Sequence, residues 1–290
     1  MSVPTLRNYN NTSKENAVFD KKVHDNRIRQ PLVTVVTPVL NGSKYLAQAI
    51  DSILGQSYPH IELIIIDGLS DDGTIEIIKK YDHRIKYWSS SKDSGAADAI
   101  NKGFEVASGD IFVWLNYDDL YYPNTVEMVI EDMNRTDASF CYGHSQLIDK
   151  NRKVFKTLYT CEQSINSYQA DGGNIFQGTV FFRRELWGKY GPLDSTLKCS
   201  FEYKLFDNFF EFEKGVFINS ILAQYRIHED TISANYKDQF AIECKTFRSN
   251  HSRLYAKMYY RLKRNAYNLR DGNFIPKYWE FFVNFLRRKI

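Results

Sequence analysis

The chain has 290 residues, 43% hydrophobic and 25% charged, the balance of a soluble globular protein with room for one large domain and extensions. No apolar run approaches the roughly 18 residues needed to cross a bilayer, and the polar N-terminus has no apolar signal core, so a cytoplasmic protein is expected. The net charge of +3 conceals a split: from Lys245 onward twelve Lys and Arg face two acids, about +10, which leaves about −7 on the rest.

Residues 1–30 read as a polar extension with little to bury. Leu32–Thr37 is a β-branched strand stopped by Pro38, and Asn41-Gly42-Ser43 turns into a helix with Tyr45, Leu46, Ala49, Ile50, Ile53 and Leu54 on one face. A second buried strand, Glu62–Ile66, runs into Asp67-Gly68-Leu69-Ser70-Asp71-Asp72-Gly73-Thr74, and a helix follows over Ile75–Tyr81. A third strand at Ile85–Ser89 leads to Lys92-Asp93-Ser94-Gly95 and a helix over Ala96–Ala107. Strands alternating with helices in this way predict βαβ units, hence an α/β fold with a mainly parallel central sheet flanked by helices. Past residue 136 the pattern loosens. Strands are expected at Ala138–Tyr142, Ile175–Arg183 and Gly215–Tyr225, helices at Glu185–Tyr190 and Phe201–Phe210, and helical periodicity from about Lys237 to the end. The four cysteines (Cys141, Cys161, Cys199 and Cys244) are widely spaced, without metal-ligand pattern, and read as reduced thiols.

The run Ile111–Tyr117 ends on Asp118-Asp119, and buried strands do not normally finish on paired carboxylates. In an open α/β sheet that end of the strands is where ligands bind. Two acids there suit a hard divalent cation holding phosphates, although an N-cap for a helix beginning near Pro123 would also use an aspartate.

Five strings go further when taken together: Val36-Thr37-Pro38-Val39-Leu40-Asn41, Gln56-Ser57-Tyr58-Pro59, Ile66–Thr74, Lys92–Gly95 with Ala99–Gly103, and Trp114–Asp119. In content and order they resemble the inverting family-2 glycosyltransferases of bacterial cell-surface polysaccharide synthesis, over roughly residues 31–235. The resemblance implies the GT-A nucleotide-diphospho-sugar transferase fold for that domain; the periodicity beyond it is that of a helical tail over 236–290. It also implies metal-assisted, inverting transfer of a hexosyl or N-acetylhexosaminyl group, from a donor expected to be a UDP-sugar, to a glycan or lipid-linked acceptor.

By the same resemblance, Pro38, Leu40, Asn41, Asp67 and Asp93 would hold the nucleoside, Asp118 the ribose side, and Lys102 a phosphate. Asp119 would bind Mg2+ or Mn2+, with His228 completing the metal site beside it or touching the diphosphate. Glu202 would be the general base and Gln177-Gly178 the acceptor side. The chain departs from the pattern at Gly68, where many members carry a second aspartate that reads uracil. It departs again at Glu202-Tyr203-Lys204, where an aspartate and a second acid are frequent. Each residue also has a plainer reading: Asp67 as a helix cap, Lys102 as a dipole partner, Glu202 as a first-turn glutamate, and His228 as a structural histidine. Two rival functions stay open, a non-catalytic nucleotide-sugar binding module and a sugar-1-phosphate nucleotidyltransferase. The second is expected to show a glycine-rich basic phosphate loop, and Thr37–Asn41 has none.

The basic residues from Lys245 lie among aromatics, ending in Tyr278-Trp279, Phe281-Phe282, Phe285 and Arg287-Arg288-Lys289. This composition suits peripheral attachment to an anionic membrane face, or packing against the domain or a second subunit as a homodimer. No nucleic-acid motif accompanies the charge.

Overall fold

The computed structural model of the chain describes residues 30–170, 175–229, 231 and 242–243. Nearly all of the extension and of the tail lies outside these residues, and with it the expectations for 245–290.

The first half alternates as expected: β1 (Val33–Val39), α1 (Leu46–Leu54), β2 (Ile61–Asp67), α2 (Thr74–Tyr81), β3 (Tyr87–Ser90), α3 (Ala96–Glu105) and β4 (Ile111–Trp114). Then come β5 (Leu120–Tyr121), α4 (Thr125–Thr136), β6 (Phe140–Ile148), β7 (Val154–Leu158), α5 (Ile165–Ala170), β8 (Phe181–Arg183), α6 (Arg184–Tyr190), α7 (Glu202–Phe212) and β9 (Gly215–Arg226). All nine strands form one sheet in the order β3-β2-β1-β4-β8-β6-β9-β5, with β7 on β6. The β3-β2-β1-β4 part is parallel, whereas β8 joins β4 and β6 antiparallel, and β9 returns parallel to β6.

Pro38 lies inside β1 rather than ending it, paired with Ile66. On its other flank the ladder with β4 stops at Val36–Trp114, so the missing N–H falls where no partner strand remains. The strand expected over Ile175–Arg183 is shorter, because Gln177–Thr179 closes a 3₁₀ turn and only Phe181–Arg183 joins the sheet. Pattern reading missed β5 and β7, two short strands; β7 alternates weakly and is half exposed.

Two apolar layers cover the sheet. One gathers Val35, Ile50, Ile65, Val113 and Val129 under α1 and α4; the other gathers Ile100, Phe104, Trp114, Phe182, Phe206 and Phe209 under α3 and α7. In the second layer Trp114 stacks on Phe206 at 5.7 Å, which packs the start of α7 close to the strand that ends in the acidic pair. Much of the aromatic content is therefore core. Among the described residues Cys141, Cys161 and Cys199 are buried, and no helix is long and apolar enough to cross a membrane.

Candidate active site

The loops after β1, β2, β3 and β4 open on one edge of the parallel half-sheet. Asp67, fully buried at the end of β2, spends its carboxylate on its own loop and on the end of β3. One oxygen accepts from Leu69 N, Ser70 N and the Ser90 hydroxyl at 3.1, 3.0 and 2.6 Å, and the other from the Ser70 hydroxyl at 2.5 Å. The anchored loop turns through Leu69 at φ +75°, a backbone angle that a leucine adopts only under constraint. Asn41, at φ +53°, donates its N–H to Ser70 Oγ and accepts from Asp71 N through its side chain. Asp72 caps the same turn through Ser43 N and Thr74; burial opposes its charge, yet these bonds hold its carboxyl down at about 2. Leu40 and Leu69 stand exposed on these two loops, at 53% and 61%. Asp67 and Asn41 therefore build the edge from within, and the two leucines face outward from it.

Asp93 accepts Gly95 N at 3.0 Å. A Cβ placed on Gly68 would lie 2.8 Å from its Oδ2, so the Asp93 carboxylate occupies the space where a residue-68 side chain would begin. Burial foremost, with the charges of Asp98 and Asp67, pushes the Asp93 carboxyl up. Lys102 pairs with Asp98 one helical turn back at 3.1 Å and is only partly exposed, so its ammonium is engaged on α3.

The acidic pair divides its duties. Asp119 is fully buried; its Oδ1 accepts Arg226 N at 2.9 Å, and its Oδ2 has no hydrogen-bond partner. Burial, and then the charge of Asp118, pushes this carboxyl well above the usual range. Asp118, 7% exposed, accepts a hydrogen bond from His228 Nε2 through Oδ2 at 2.8 Å. The imidazole thus meets Asp118, while Asp119 meets the end of β9 through the Arg226 amide.

Arg226, which pattern reading did not single out, ties these parts together. Its fully buried guanidinium donates to the Asp118 carbonyl at 2.8 Å, to Gln48 at 2.9 Å, and to the Asp149 and Lys150 carbonyls at 3.3 Å. It lies 4.5 Å from the centre of the Tyr45 ring, which also packs on His228. The available signal was a lone cation closing an apolar strand two residues before a histidine.

Glu202 opens α7, half-buried, and burial followed by the charge of Glu243 pushes its carboxyl up to about 7. The preceding turn reaches the β3 loop, where Lys198 Nζ donates to the Ser94 carbonyl at 3.1 Å. Asn101 of α3 exchanges two 2.9 Å hydrogen bonds with the Leu193 backbone. Gln177 and Gly178 lie in the 3₁₀ turn beside β4: the Gly178 carbonyl accepts the Tyr121 hydroxyl at 3.0 Å, and Gln177 Nε2 is buried without a partner. A Cβ on Gly178 would press on Phe176 and Leu115, so the glycine is needed for packing. Among the described residues no three His, Cys, Asp or Glu side chains gather about one point as a ready-made metal cage.

Residues 34–191 match the family described as Glycosyl transferase family 2, and the chain belongs to that family. The putative teichuronic acid biosynthesis glycosyltransferase TuaG of Bacillus subtilis is 31% identical, over 71% of this chain and 83% of its own. The Escherichia coli UDP-Glc:alpha-D-GlcNAc-diphosphoundecaprenol beta-1,3-glucosyltransferase WfgD is 27% identical over 83% of this chain and 98% of its own. Rickettsial glycosyltransferases match at 29–33% identity, and the chain spans only 30–65% of their length. Among solved structures, S. aureus TarS 1-349 in complex with UDP-GlcNAc aligns with TM-score 0.60 at 14% identity, over 73% of this chain and 66% of that one. The mannosyltransferase PcManGT from Pyrobaculum calidifontis, in complex with GDP-Man and Mn2+, aligns with TM-score 0.59 at 17% identity, over 81% and 71%. The fold is the GT-A fold.

Proposed function

We propose that the protein transfers a sugar from a nucleotide-diphosphate sugar, with inversion, to a hydroxyl of a glycan or lipid-linked acceptor. The observation that carries this reading is the acidic pair: a buried Asp119 oxygen without a partner, next to Asp118 paired with His228, at the ligand-binding edge of a GT-A sheet. An orphaned buried carboxylate oxygen is costly unless something is bound there. Carboxylate oxygens suit Mn2+ or Mg2+, and such ions take few protein ligands when phosphates supply the rest. Asp119, through its unpartnered oxygen, would hold the ion with His228 beside it, and the ion's charge would neutralise the departing diphosphate. Support for the donor and acceptor classes comes from the relatives: TarS was solved with UDP-GlcNAc, PcManGT with GDP-Man and Mn2+, and WfgD acts on a diphosphoundecaprenol-linked sugar.

The chain's own groups then account for the chemistry. Glu202, raised towards neutrality, takes the proton of the acceptor hydroxyl as that oxygen bonds to the anomeric carbon. The bond from that carbon to the phosphate oxygen breaks with its electron pair, and the nucleoside diphosphate leaves; one displacement inverts the centre. Asp67 and Asn41 hold the nucleoside loops in shape, and Asp93 supplies the carboxylate that residue 68 lacks. The basic stretch from Lys245 is assigned to an anionic membrane surface, where a lipid-linked acceptor would lie. Incubating the purified protein with UDP-glucose, UDP-GlcNAc or GDP-mannose, with Mn2+ or with chelator, tests the core of this reading. Metal-dependent release of nucleoside diphosphate is the expected result. Failure of all three donors to bind, with and without metal, would overturn it.

A further inference from the structure

The turn that presents Glu202 is gripped by a carboxylate from much further along the chain. Glu243 is 5% exposed. The backbone N–H groups of Lys198, Cys199 and Ser200 each donate to its carboxylate at 3.1 Å, and the Ser200 hydroxyl adds a fourth bond at 2.9 Å. Successive amides converging on one anion form a nest, and here the nest sits just before α7, where the helix dipole also favours negative charge. Ser200 is fully buried and Cys199 nearly so, so water does not compete for these bonds. The gripped turn also touches the donor side through Lys198 Nζ on the Ser94 carbonyl.

We infer that Glu243 is the positioning residue for Glu202: its carboxylate fixes the Lys198–Ser200 turn and thereby the point from which the base reaches the acceptor. The inference rests on Glu202 being the base. Glu243 acts through Glu202 rather than on the substrate. It has two separable effects, one of geometry and one of charge. Geometrically, a loosened turn displaces the base, and misplacement by about 1 Å costs on the order of 10²-fold in rate. Electrostatically, Glu243 is the ionisable neighbour that adds to burial in raising Glu202; Lys198 and Lys204 flank it in the chain, and Asp207 follows on the same helix.

The test uses the full chain and needs no substrate for its first arm. Thermal midpoints are measured against pH for wild type, Glu202→Gln, Glu243→Gln and the double variant. Subtracting each Glu202→Gln curve from its parent isolates the titration of Glu202 in the two backgrounds. The expected result is a titration midpoint at lower pH in the Glu243→Gln background. Coincident midpoints would overturn the inference while leaving the base assignment untouched. In the second arm, turnover is measured with whichever of UDP-glucose, UDP-GlcNAc and GDP-mannose is used. Glu243→Gln should lower kcat about 10–100-fold with donor KM unchanged, and an unchanged kcat would overturn it. Full turnover in Glu202→Gln would instead remove the base assignment itself. If Glu243→Gln does not fold, Ser200→Ala removes one of the four bonds, and lower kcat at unchanged donor KM is again expected. A loss of thermal midpoint alone, without change in kcat, would reduce Glu243 to a structural brace and sink the proposal.

Discussion

Replacing Glu202 by Gln should make the protein more stable above neutral pH while nearly silencing it. The Glu202 carboxyl stands at about 7 in the fold, against an ordinary value of 4.5. Below about pH 4.5 it is protonated in folded and unfolded chains alike and favours neither. Between 4.5 and 7 the unfolded chain gives up the proton while the folded chain keeps it, so stability falls as pH rises, and the loss is complete above 7. The interval corresponds to about 3 kcal/mol at most. For a domain of this size that is roughly 6–12 °C in Tm. Asp207, pushed up to about 6 mainly by burial, and Asp119 and Asp93, also raised, slope the same way. They are common to both proteins, and the difference between the two curves isolates Glu202. Thermal unfolding of metal-free wild type and Glu202→Gln from pH 4.5 to 8.5 should give curves that start together and diverge, the variant higher. Turnover at pH 8 should fall by about 10²–10⁴, the usual range for a lost general base. Parallel curves would refute the reasoning, since a carboxyl that titrates normally has no raised basicity to offer the acceptor.

Asp119→Ala should abolish metal-dependent turnover with the fold retained; unchanged turnover and Mn2+ affinity would remove Asp119 from the metal site. Arg226→Met leaves buried carbonyls and Gln48 without their donor and should cost about 3–5 kcal/mol, read as a lower urea midpoint at unchanged m-value, with donor binding weakened. Gly68→Ala should displace the Asp93 carboxylate and raise donor KM while sparing kcat, because a Cβ there meets Oδ2 at 2.8 Å; an unchanged KM would separate Asp93 from the donor pocket. Removing residues 278–290 should release the protein from phosphatidylglycerol vesicles in co-sedimentation at low salt, since each basic residue near such a surface contributes about 1 kcal/mol; full-length protein that stays in the supernatant at low and high salt would assign the tail to packing instead.

The parallel half of the sheet was legible because its strands are continuous β-branched runs separated by helices with one apolar face. The second half was less so. β5 is two residues long, and β7 lies half exposed at the edge of the pairing with β6, so neither leaves a periodic imprint. The 3₁₀ turn at Gln177–Thr179 interrupts an apolar run that reads as a strand, since Thr179 turns its hydroxyl back onto the Phe176 carbonyl at 2.8 Å. Sequence gave the site its residue types but not their pairing. That His228 meets Asp118 depends on where β9 ends beside the loop that enters β5, a contact between residues 110 positions apart. Glu243 was invisible for the same reason, because one glutamate in a charged stretch carries no mark of the three amides it will meet.

The division of labour at the sheet edge follows from how many lone pairs each carboxylate has left. Asp67 and Asp72 have both oxygens bonded to the loops and strand end around them, and substituting either would first unravel the turn rather than vacate a ligand contact. Asp119 keeps an oxygen that nothing in the described fold satisfies, and Asp93 keeps one facing the gap above Gly68. A buried acid that is raised and incompletely bonded destabilises the unliganded protein at neutral pH, and binding a cation removes that penalty. Stabilisation by Mn2+ should therefore be large in wild type and nearly absent in Asp119→Ala, with Asp67→Asn losing stability whether or not the metal is present. This contrast separates the carboxylates that build the site from those that wait for a ligand, and it follows from the hydrogen-bond inventory of each one.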